Sequence, residues 1–109
     1  IMQAKIVEAW AQSESYALSI YHTASKMLAG GSIGSESSLG KIFWSELDHM
    51  MHQTALKILG ASAELSQDAK HDAAVWIKGF MFSYAGPIYA GTNEIQKNII
   101  AERLLGLPK

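Results

Sequence analysis

The 109-residue sequence has no cysteine. Disulfides, thiolate nucleophiles and cysteine-ligated zinc are therefore excluded. It has one arginine, Arg103, and a formal net charge of -1. A chain so balanced offers no basic surface to nucleic acid or to an anionic membrane. No run approaches the roughly 18 apolar residues of a membrane span. The N-terminus has periodic polar residues where a secretory signal would have an apolar core. These absences read as a soluble, intracellular protein, cytoplasmic in location, and the Ile-Met start reads as a processed or excised piece.

What is present is apolar: 49% hydrophobic residues against 17% charged. That is a high ratio for one small domain. It implies either a large core or faces meant to be covered by a partner.

With prolines only at 87 and 108, helical patterns run long. Met2, Ile6, Ala9, Trp10, Ala17, Ile20, Ala24 and Met27 recur at spacings of three and four and predict a helix over 2–29. It would be about 40 Å long and stop at Gly30-Gly31. A second helix is predicted over 37–59, with Ser35 or Ser37 as its N-cap and Gly60 as its end. Its apolar positions are Leu39, Ile42, Phe43, Leu47, Met50, Met51, Thr54 and Ile58. Residues 61–67 read as a polar connection. Ser66 is placed to cap a third helix over 67–84, with Ala73, Val75, Trp76, Phe80 and Met81 facing inward, broken by Gly86-Pro87. Thr92 caps a last helix over 92–105, with Glu94 in its first turn and Arg103 in its last, as the helix dipole favours. Ile95, Ile99, Ile100 and Leu104 line one face. No strand pattern competes. The fold class is all-α, an antiparallel helical bundle in one domain, 1–109. Two long helices beside two shorter ones leave a bundle face for additional sequence or another subunit to complete.

Most motifs read as structure. Glu46, His49 and His52 share a helix stripe, but a di-iron carboxylate site needs a second Glu-x-x-His, and none exists here, so no metal site is expected. Gly34 to Lys41 imitates a phosphate loop, with one residue too many between its glycines and Ile42 where a hydroxyl should bind magnesium. Trp10, Trp44 and Trp76 read as core aromatics before they read as ligand walls. The turn Tyr89-Ala90-Gly91-Thr92-Asn93-Glu94 differs from these. A glycine admits close backbone approach to a ligand, and a helix N-terminus with free N–H groups follows it. The same residues also suit a plain capped turn.

Tyr89 to Lys109, reading YAGTNEIQKNIIAERLLGLPK, resembles the C-terminus of acyl-CoA dehydrogenases, in particular a bacterial branch. Ile58-Leu59-Gly60 resembles the family's Ile-Leu-Gly-Gly turn, and Lys41 a lysine common in the preceding helix. The resemblance implies the C-terminal bundle without its first helix, and without the N-terminal helical and central β-domains. It implies an FAD-dependent oxidation of acyl-CoA to the α,β-enoyl-CoA, with a glutamate removing the α-proton, hydride passing to the flavin, and electron-transfer flavoprotein as the electron acceptor. Assembly as a homo-oligomer (dimer or tetramer) or hetero-oligomer follows from the same likeness.

By resemblance, Tyr89 and Gly91 meet the substrate and Thr92, Asn93 and Glu94 meet the flavin. Lys57 and Gly60 touch the ADP end of FAD in a neighbouring subunit, although many members have Gln at position 57 and Gly at 61. Ala90 occupies the place of the usual catalytic glutamate, in a Tyr-Glu-Gly-Thr phrase. Alanine accepts no proton, so no catalytic residue is expected in this chain, and Glu94 resembles a flavin contact more than a base. Some relatives have the base on the bundle's first helix. Others lack one and serve as a non-catalytic subunit of a heteromeric enzyme, notably in sterol side-chain degradation. Met81-Phe82-Ser83-Tyr84-Ala85 replaces a common Arg-Asp-Ala phrase. An unrelated helical interaction module is the remaining alternative.

Overall fold

A computed structural model of the chain describes residues 1–65 and 72–109. Every regular element among them is helical: α1 (Met2–Leu28), α2 (Glu36–Leu59), α3 (Ala61–Leu65), α4 (Asp72–Ser83) and α5 (Asn93–Ile99). A π-helical turn, Ile100–Leu104, continues α5. The cap expected at Ser66 and the start of a helix at Gln67 lie outside the described residues. Residues 61–65 are helical, which corrects the reading of 61–67 as a connection. Gly60, with φ +55 and ψ -135, ends α2 in a conformation open to glycine and lets α3 start at once.

Local signals set the other ends. Gly30 has φ +85, its N–H donates to the Met27 carbonyl at 3.0 Å, and the Gly31 N–H donates to Lys26 at 2.9 Å. That pairing satisfies the last carbonyls of α1. The Lys26 ammonium then pairs with Glu36 across the turn, a bond that holds the Glu36 carboxyl below its usual range. Ser35 takes the N-cap position of α2 without a side-chain cap bond. Ser37 donates to the Gly34 carbonyl at 3.0 Å instead. The phosphate-loop lookalike is thus an ordinary helix start.

α2 is the centre of the fold and packs against α1, α4 and α5. Its closest contacts use small residues. Ser38, Ser45 and Thr54 are buried along it, and Ala73 and Ser83 of α4 are buried against it. Gly86 is buried where a Cβ would lie 3.2 Å from the Ser45 Cβ.

The apolar faces read from periodicity differ from the buried ones. Among the described residues, α1 meets no helix but α2, and the half-buried residues of α1 are Lys5, Ala9, Gln12, Tyr16, Ala17 and Thr23. Met2, Ile6, Trp10, Ile20 and Met27, expected inside, are exposed, Trp10 to 66%. On α2, Leu47 and Thr54 are buried as expected, while Leu39, Phe43, Met51 and Ile58 are exposed. On α4, Val75, Trp76 and Met81 face out, as does Ile95 on α5. The physical reason is partner number: a helix touching one neighbour can cover only one stripe. The totals agree. The chain exposes 7916 Å², against about 6000 Å² for a compact protein of its mass. Its radius of gyration is 17.1 Å, against about 13 Å for its length. No helix is long and apolar enough to cross a membrane among the described residues.

Candidate functional site

The loop from Tyr84 to Thr92 joins α4 to α5 and is folded by its own backbone. The N–H groups of Ile88 and Tyr89 both donate to the Ala85 carbonyl at 3.0 Å, and the Asn93 N–H closes the loop on the Pro87 carbonyl at 2.9 Å. Its apex holds Ala90 with φ +55 and Gly91 with φ +87. Ala90 is the only non-glycine with positive φ among the described residues, a conformation costing about 1–2 kcal/mol for an L-residue. The Gln96 Nε2 holds that peptide by donating to the Ala90 carbonyl at 3.0 Å. A Cβ on Gly91 would lie 2.7 Å from that same nitrogen. Glycine suits position 91 by conformation, and a side chain there would have to displace the end of Gln96.

Thr92 caps α5, its hydroxyl oxygen accepting from the Ile95 N–H at 3.3 Å. Glu94 stands exposed in the first turn. Its carboxyl lies below its usual range, first because its own backbone N–H faces it, then through the Thr92 hydroxyl, with Lys97 and Lys41 adding positive charge. Asn93 turns the other way. It is buried, its Oδ1 accepting from the Lys41 Nζ at 2.7 Å and its Nδ2 donating to the Ser45 Oγ at 3.1 Å. Ser45 is fully buried, and its one proton faces two acceptors, the Ile42 carbonyl at 3.0 Å and the Asn93 Oδ1 at 3.3 Å. The side chain of Asn93 therefore serves the interior, and its backbone N–H serves the loop.

Next to the loop, a groove of about 1290 Å³ runs between α1 and α2. Its walls include Tyr16, Ile20, Phe43 and Trp44, with Tyr89 and Ala90 at one end. Tyr16 stacks on Phe43 with ring centres 5.9 Å apart, and Trp44 tilts against Tyr89 at 5.9 Å. Trp44 is thus a wall of the groove. Trp10 faces away from the core, and Trp76 meets the His52 ring edge-on at 5.6 Å.

The structure brings Tyr89, Gly91, Thr92 and Glu94 together at the open loop, above Lys41 and Ser45. Lys57 and Gly60 lie elsewhere, sixteen or more residues beyond Lys41 along α2, about 24 Å away at 1.5 Å per residue. Within one chain the two groups cannot touch the same small ligand. The histidines point to α4. His49 donates from Nδ1 to the Ser83 Oγ at 2.9 Å, because the Ser83 proton goes to the Phe80 carbonyl at 2.6 Å. His52 binds the Asp48 carbonyl at 2.9 Å and fills the space left by Gly79. Glu46 lines the groove instead. Among the described residues no three acidic or histidine side chains converge.

Ser45 and Gln96 have no signal in the sequence that would mark them. Each is an ordinary helix residue whose role depends on a loop it meets only after folding.

The family model for the acyl-CoA dehydrogenase C-terminal domain matches residues 1–105. Two relatives share 35% identity over 74 residues, or 68% of this chain: "Acyl-CoA dehydrogenase IpdE1" of Mycobacterium tuberculosis (strain ATCC 25618 / H37Rv) and of Mycolicibacterium smegmatis (strain ATCC 700084 / mc(2)155). The aligned part is 19% of the first and 18% of the second, so the chain spans about a fifth of the length of these relatives. No solved structure matches the chain significantly. With nearly all of its length matched by that model, the chain belongs to the acyl-CoA dehydrogenase family, as its C-terminal helical domain.

Proposed function

We propose that this domain supplies flavin contacts and oligomer packing to an FAD-dependent enzyme that oxidises acyl-CoA thioesters to α,β-enoyl-CoA. The carrying observation is the open Tyr89–Glu94 loop. It offers a glycine with positive φ and an ionised carboxylate in the same turn as Tyr89 and Ala90, which line an aromatic-walled groove. These features suit a flavin. Trp44 and Tyr89 present flat apolar faces to a planar ring system. Gly91 permits backbone approach. The Glu94 carboxylate accepts hydrogen bonds, which matches hydroxyl or N–H donors of the cofactor and disfavours a phosphate at that point.

Bound FAD would supply the two-electron oxidation. The residues of this chain bind, orient and exclude water. Ala90 stands where the family's glutamate would, and Glu94 is read as a flavin contact, so the base comes from outside the loop. The aromatic pair shields the reacting end of the groove, and Gly91 sets how close the thioester comes. Lys57 and Gly60, about 24 Å along α2, are assigned to the nucleotide end of a flavin held by a second subunit. Electron-transfer flavoprotein as acceptor and a cytoplasmic location complete the reading.

The test uses the complete protein that contains this domain, reconstituted with FAD and titrated anaerobically with acyl-CoA. A visible flavin spectrum that bleaches on addition supports the reading. A protein that takes up no FAD overturns it. Flavin that bleaches only after a second polypeptide is added assigns the domain to a base-less partner subunit, the alternative reading that Ala90 leaves open. The 109-residue chain alone is expected to turn over no acyl-CoA, and measurable turnover by it would place the base within this chain.

A further inference from the structure

The loop that carries the proposed flavin contacts is itself held from below. Asn93, the first residue of α5, follows it directly. The Asn93 backbone N–H closes the loop on Pro87 at 2.9 Å, and its side chain is buried and fixed at both ends of the amide, by Lys41 at 2.7 Å and Ser45 at 3.1 Å. Both partners sit on α2, one helical turn apart, so they fix the amide plane and not only its position. Ser45 reaches both ends of the amide: its Oγ accepts from the Asn93 Nδ2 at 3.1 Å, and its own proton faces the Ile42 carbonyl at 3.0 Å and the Asn93 Oδ1 at 3.3 Å. Lys41 is half-buried and donates to a neutral amide oxygen; among the described residues no carboxylate lies within 4 Å of it. An ammonium placed against a neutral partner in a half-buried site is poorly explained as a stabilising ion pair. It is well explained as a strong directional donor.

We propose that Lys41 and Ser45 are positioning residues that act through Asn93 to set the Ala90–Gly91 apex in its flavin-binding geometry. Neither needs to touch the cofactor. Both strained residues at the apex lie within three positions of the clamped Asn93, and a freed Asn93 would let the apex relax to negative φ, where the backbone no longer meets a ligand in the same way. The inference rests on the flavin reading for its consequence and on the hydrogen bonds alone for its geometry.

The experiment has two arms, both on the complete protein. Amide hydrogen exchange across residues 88–93 is measured without flavin, and FAD affinity is measured by titrating the apoprotein and following flavin fluorescence. Lys41→Met and Ser45→Ala are expected to speed exchange in that segment and to weaken FAD binding, Lys41→Met by roughly tenfold for the loss of a charged donor and Ser45→Ala by roughly threefold for the loss of a neutral one. Lys41→Arg, which keeps a charged donor, is expected to restore most of both. Lys78→Met, on the exposed side of α4, is expected to change neither. Should Lys41→Met fail to fold, Ser45→Ala and Lys41→Arg still decide the matter. Unchanged exchange overturns the clamp. Faster exchange with unchanged FAD affinity overturns its link to the cofactor and leaves a purely structural bond. A wild-type protein that binds no FAD overturns the flavin reading and the link with it, and the exchange arm then judges the clamp alone.

Discussion

Gly91→Ala tests the geometry of the loop most directly, because two costs meet at one atom. The first is conformational. At φ +87 an alanine loses about 1–2 kcal/mol relative to its preferred backbone. It recovers about 0.4–1 kcal/mol because the unfolded chain has fewer states to lose, so the net cost is near 1 kcal/mol. The second is steric. The added Cβ would lie 2.7 Å from the Gln96 Nε2, so the amide must swing away and give up its bond to the Ala90 carbonyl. That bond contributes about 1 kcal/mol, the middle of the usual range. The sum is about 2 kcal/mol. Gly30→Ala provides the control. Its φ is +85, and nothing lies within 4 Å of the added Cβ, so only the first cost applies, near 1 kcal/mol. Urea titration of the complete protein, followed by tryptophan fluorescence, should rank Gly91→Ala below Gly30→Ala by about a further 1 kcal/mol. The double variant with Gln96→Ala should lose less than the sum of its singles, since the clash is then gone. If Gly91→Ala is no worse than Gly30→Ala, or if the double is additive, the Gln96 contact does not hold the loop and the reasoning fails.

Glu94 gives a pH prediction. Its folded-state pKa lies below the ordinary value of 4.5, so its contribution to stability is present above that value and is lost as pH falls through the folded one. Glu94→Gln should therefore narrow the stability difference between neutral and acid conditions slightly; a wider difference would reverse the sign. Exposed apolar residues give another. The isolated chain should self-associate at micromolar concentration through the α1 face, and Trp10→Ser should weaken this. A strictly monomeric sedimentation profile for the wild-type chain would count against it.

Helix ends were legible in the sequence because they are local. Gly30-Gly31, Gly60 and Thr92 stop or start helices through bonds to residues three to five positions away, and those residues are in view on the line of sequence. Helix faces were less legible. The stripe of Met2, Ile6, Trp10 and Ile20 is a genuine period of an amphipathic helix. Periodicity reports that a face is to be covered, and does not report by what. Among the described residues α1 has one neighbouring helix, and its half-buried residues are Lys5, Ala9, Gln12, Tyr16, Ala17 and Thr23.

The candidate loop divides along the same line. Its composition, Gly91 followed by a capping Thr92 and an acidic first turn, could be read directly, and so could the absence of a base at Ala90. The direction of the Asn93 side chain could not, because its partners lie 48 and 52 residues earlier on another helix. The roughly 24 Å between Lys41 and Lys57 follows from the length of α2, which was legible as one helix over 37–59. Sequence by itself determined an all-helical chain, its breaks and its glycine-hinged loop, since these follow from backbone chemistry within a turn or two. The tertiary structure alone decided which faces are covered and that Asn93 belongs to the interior, since burial and hydrogen bonding at a distance depend on which helices meet.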